Sequence, residues 1–99
     1  MWAHITHLGR DVNRAMKSLS GAQIRAARAL VRWSAGDLAR AAALGVNTIR
    51  RAELVDDRTS MTAANDLAVR RALEAAGVEF IDEDGGGPGV RLRRVARPK

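Results

Sequence analysis

The stretch from Ser34 to Glu53, SAGDLARAAALGVNTIRRAE, constrains the fold more than any other part of the chain. Leu38, Ala39 and Ala42 recur at helical spacing, Gly45 interrupts them, and Ile49 and Ala52 resume the spacing while Asn47, Arg50 and Arg51 face elsewhere. This predicts two short helices joined by a tight apolar turn. Ser34 and Asp37 have the spacing of a capping box, with Asp in place of the usual Glu or Gln, and so start the first helix. Gly45 is an acceptable N-cap for the second, which begins at Val46. Helices paired this closely need a small residue where they touch, and Ala39 fits that need.

Composition then bounds the whole. Ninety-nine residues, 46% of them hydrophobic, are enough for one compact domain with tails. Seventeen Lys and Arg against eleven Asp and Glu give a formal charge of +6, which favours a polyanionic partner, nucleic acid ahead of an anionic membrane surface. With no cysteine, disulfide scaffolds, thiolate zinc sites and cysteine nucleophiles are all excluded. No apolar run approaches the roughly 20 residues of a membrane span, and the N-terminus lacks a signal-peptide core. The expectation is a cytoplasmic protein associated with the nucleoid.

Residues 1–19 read as an N-terminal extension forming a short amphipathic helix, with Val12, Ala15, Met16 and Leu19 on one face. His4 and His7 are spaced as HxxH, but no third ligand stands nearby, so no metal is expected. Ser20 caps a helix running to about Arg32, with Ile24, Ala27, Leu30 and Val31 buried, Arg25 and Arg32 on the wet side and Arg28 at the border. Trp33 reads as a core or rim aromatic. After a loop from Leu54 to Met61, a Thr62-capped helix runs to Ala76, with Leu67, Ala68 and Leu73 inward, Arg70 and Arg71 solvated, and Gly77 as its stop.

The last third changes period. Val78, Phe80, Val90 and Leu92 alternate with Glu79, Arg91 and Arg93 around DEDGGGPG, predicting an antiparallel hairpin over 78–94 whose register is set by Glu79 facing Arg91 or Arg93. The glycine run lacks the following Lys-Ser/Thr and helix of a phosphate-binding loop. A lone two-stranded hairpin is marginal in water, so this one must lie on the helices or pair with a second protomer. Residues 95–99 extend a basic tail that includes Arg94, Arg97 and Lys99.

The run LARAAALGVNTIRRAE is similar to the helix-turn-helix of phage-repressor-like (Xre-family) bacterial transcription regulators, and the resemblance extends over roughly Ser20 to Gly77. It implies a mainly α fold, a lambda-repressor-like bundle of four to five helices, here followed by the antiparallel β-hairpin. It places base-reading residues at Val46, Asn47 and Arg51. Arg suits guanine and Asn suits adenine in the major groove, and Arg50, also outward, is a base reader, a phosphate contact or a solvated charge. It places phosphate contacts at Ser34, Thr48 and Arg58, and pairs Arg28 with Glu53 in a salt bridge. Three positions depart from the pattern: Ala43 replaces a turn glycine, Gly45 replaces a Ser or Thr cap, and Ala35 replaces a phosphate-contacting Gln.

The expected function is therefore sequence-specific binding of double-stranded DNA by a transcription regulator. It would act as a homodimer through the hairpin, with reading helices roughly 34 Å apart on an inverted repeat. The rival is a protein-binding regulatory module, antiactivator- or antitoxin-like, on the same fold. With no nucleophile, base or paired carboxylates in a recognisable arrangement, no enzyme activity and no cofactor are expected.

Overall fold

The computed structural model describes residues 18–82 and 85–93. The expected helix over 1–19, the HxxH pair and the basic tail from Arg94 onward lie outside them, except that Ser18 and Leu19 are described. The fold is mainly α: helices α1 (Gly21–Val31), α2 (Ala35–Ala42), α3 (Val46–Ala52) and α4 (Ala63–Ala75) precede strands β1 (Val78–Ile81) and β2 (Gly89–Leu92).

Each helix boundary has a local chemical cause. Ser20 caps α1 by accepting from the Gln23 amide at 3.0 Å, and the Gln23 side chain accepts in return from the Ser20 amide at 3.0 Å. Both α1 and α2 end in a left-handed residue, Arg32 (φ 60°) and Ala43 (φ 59°). The next amides, of Trp33 and Leu44, then donate back five residues to Arg28 and Ala39. The turn position that usually holds glycine is thus left-handed here with an alanine in it. The Thr62 hydroxyl caps α4 by accepting from the Asn65 amide, and Gly77 (φ 110°) turns the chain from α4 into β1.

The core gathers Leu19, Ile24, Leu38, Ile49, Val69, Leu73 and Val78, all with no solvent-exposed area. Leu19 is therefore part of the packed domain, its amide donating 2.9 Å to the buried Asp66 carboxylate. Two expectations are corrected here. Leu30 is 37% exposed, two turns along α1 from Gln23, the residue that bonds the hairpin. On α4 the buried stripe is Asp66, Val69 and Leu73, whereas Leu67 and Ala68 are only partly buried. The Asp66–Leu19 bond draws a carboxylate inward and rotates the stripe away from the more apolar Leu67.

The strands pair antiparallel with Val78 opposite Leu92 and Glu79 opposite Arg91. Arg91 donates to both Glu79 carboxylate oxygens, at 3.0 and 3.3 Å, fixing the expected register. The hairpin packs on α1 and α4 within the chain, with Phe80 and Val90 against the core. The Gln23 side-chain amide reaches from α1 to the Ile81 and Gly89 carbonyls, the strand pair next to the hairpin's connecting loop. Among the described residues, no helix is long and apolar enough to cross a membrane.

Candidate nucleic-acid interface

Helix α3 has one inward and one outward face. Ile49 and Ala52 are buried, against α2 through small Ala39 and Ala42, while Asn47, Arg50 and Arg51 are exposed. Val46 is divided between the two, half-buried and packed against the core. Its N-cap, Gly45, contributes no side-chain bond, so the entry of the helix is held by the turn and by Ile49.

The far end of α3 is held by ionic contacts. The Arg28 guanidinium donates to both Glu53 carboxylate oxygens, 2.7 and 2.9 Å, and to the Trp33 carbonyl at 2.9 Å. Its side chain is 22% exposed and that of Glu53 9%, and the hydrogen bond to Glu53 raises the Arg28 pKa further above its ordinary value. One guanidinium thereby joins α1, the α1–α2 turn and the end of α3. Arg25, expected on the wet side, instead donates to the Glu53 and Val55 carbonyls and to the Asp56 carboxylate. No spacing rule exposes that role, since the partners are backbone carbonyls of a loop about thirty residues away.

The expected phosphate contacts do not form one cluster. Thr48 and Arg51 share a shallow groove with Ser60, Thr62 and Asn65, between α3 and the start of α4. Arg58 lies in a different cleft, beside Asp56, Asp57 and Asp82, where it forms a short antiparallel bridge with Ser20. Ser34 is exposed at the start of α2, its hydroxyl accepting from the Asp37 amide. The Asp37 carboxylate accepts from the Ser34 amide, which holds its pKa below the usual carboxylate range, with the Ser34 hydroxyl and Arg40 adding to the effect. That helix end consequently carries a fixed negative charge beside its free amides.

Elsewhere, burial raises the Asp66 pKa against the lowering pull of the Leu19 amide and Arg70. Among the described residues, no three His, Asp or Glu side chains are grouped to hold a metal ion. No protein-family model matches the chain, and the comparison with curated proteins found no match.

Proposed function

We propose that this chain is a sequence-specific DNA-binding regulator of the phage-repressor-like kind, with α3 entering the major groove and Asn47, Arg50 and Arg51 meeting base edges. The observation that carries the reading is the pairing of an exposed Asn-Arg-Arg row with a buried Ile49–Ala52 face on a helix held at both ends. A reading helix must present its side chains in fixed positions, and a bidentate Arg28–Glu53 pair supplies that rigidity at its exit. The formal charge of +6 provides the nonspecific attraction on which base reading is superimposed.

Selecting bound duplexes from a random pool, followed by a salt titration of the winner, tests the proposal. Arg51→Ala is expected to cost about 1–3 kcal/mol on the selected sequence and to relax preference at one base pair. Arg58→Ala is expected to weaken all sequences alike. If Arg51→Ala leaves discrimination intact, the assigned docking is wrong.

A protein-binding role has one observation in its favour: Leu54, 82% exposed, and Val55 present apolar surface beside Asp56 and Asp57. A partner retained at salt that abolishes DNA binding supports that reading instead.

A further inference from the structure

The exit of α3 is docked on the first two turns of α1 by contacts that the Arg28–Glu53 pair does not include. The Gly21 amide donates to the Asp57 carbonyl at 2.9 Å, and the Thr59 amide donates to the Leu19 carbonyl at 3.0 Å. Gly21 is buried so close to this loop that a Cβ there would stand 1.8 Å from the Val55 carbonyl oxygen and 2.7 Å from that of Ala52. One turn along α1, the Arg25 guanidinium spans the Glu53 and Val55 carbonyls and the Asp56 carboxylate. Carbonyls at the end of a helix carry its partial negative charge and have no partner within the helix. Beside a polyanion they are unfavourable unless a cation covers them.

We propose that Arg25 is a positioning residue for sequence discrimination: it caps the C-terminal end of α3 and fixes the angle at which Arg50 and Arg51 are presented, without itself touching DNA. This rests on the DNA-binding reading above. Arg25 is suited to the task because one of its terminal nitrogens donates to two carbonyls of the loop, and because Asp56, bonded to the other, offsets its charge. The carbonyl bonds fix how α3 presents its base-reading side chains, whereas a phosphate contact carries no sequence information directly.

The test uses the full chain, the selected duplex and a scrambled duplex at one salt concentration. It also records amide hydrogen exchange at Glu53 and Leu54, whose amides bond to the Ile49 and Arg51 carbonyls. Arg25→Ala is expected to reduce the ratio of selected to scrambled affinity about tenfold, the scale of losing a hydrogen bond to a charged group, with the scrambled affinity and salt slope little changed. Protection at Glu53 and Leu54 should fall with it. Arg25→Gln, which keeps the stem and a donor amide, should recover part of the ratio. Equal losses on both duplexes with a salt slope shallower by about one, and Gln no better than Ala, identify a direct phosphate contact and overturn the proposal. An unchanged ratio overturns it as well. If the wild-type chain prefers no duplex, the DNA reading itself has failed. Exchange alone then decides whether Arg25 anchors α3: reduced protection upholds the anchor and unchanged protection refutes it.

Discussion

At the scale of single residues, four positions carry conformational or electrostatic demands that a substitution or a change of pH can expose. Gly21 is the most constrained, since a methyl group there would overlap a backbone carbonyl that has no freedom to move away. Gly21→Ala is expected to destabilise the fold by about 3 kcal/mol or more, read as the midpoint of urea unfolding. Ala43 has the opposite character: it holds φ 59° with a Cβ, so Ala43→Gly should stabilise by about 1 kcal/mol in the same measurement. Asp66 adds a pH dependence. Burial raises its folded pKa above the unfolded value, so its contribution to stability is fullest below the ordinary carboxylate range and is lost as pH rises through the folded value. Asp66→Asn keeps an acceptor for the Leu19 amide and removes the titration. Its stability relative to wild type should therefore increase between about pH 4 and pH 7, and a constant difference across thermal melts in that range would refute the assignment. Glu79 has the reverse sign, because its bond to Arg91 lowers its pKa and that stabilisation is lost on acidification.

At the scale of elements, the sequence was most informative where short-range chemistry decides the outcome. Ser34–Asp37, Thr62 and Gly77 act within a few residues of themselves and the alternating strands flank one short glycine-rich loop, so the caps, the stop and the hairpin register follow from local spacing. The outward row on α3 was legible for the same reason, because periodicity alone separates Ile49 and Ala52 from Asn47, Arg50 and Arg51. What the sequence concealed depends on partners distant along the chain. Asp66 displaces Leu67 from the expected core stripe through a bond to Leu19, and Arg25, still 41% exposed, engages loop carbonyls. Gln23 is the fullest case. Its oxygen completes the α1 cap and its nitrogen binds two hairpin carbonyls, so one buried side chain couples α1 to the β-sheet. Gln23→Glu should separate these two roles. The carboxylate still accepts from Ser20, but it turns negative oxygen toward the Ile81 and Gly89 carbonyls, so the hairpin amides should lose exchange protection while the first turn of α1 keeps its own. Hairpin amides that keep their protection would show that the hairpin does not depend on this amide.

At the scale of the whole molecule, the hairpin is the element through which the proposed function would join two copies. A sheet of two strands offers open edges, and packing on α1 and α4 covers the face carrying Val78, Phe80 and Val90 without supplying a third strand. Leu92 remains 50% exposed on β2. Under the proposed function, two chains joined through this element would set their α3 helices into successive major grooves, roughly 34 Å apart, on an inverted repeat. Leu92→Glu places a charge on that surface at a position already half in solvent, so the fold should persist while association fails. Sedimentation velocity is expected to show a dimer for the wild-type chain and a monomer for the variant. Binding to the full inverted repeat should weaken far more than binding to a single half-site, because only the former gains from tethering the second reading helix to the first. A variant that remains dimeric moves the interface away from the hairpin. A wild-type chain that is monomeric and binds the full repeat no more tightly than one half-site removes the symmetric arrangement, leaving α3 as a single reader whose specificity rests on one Asn-Arg-Arg row.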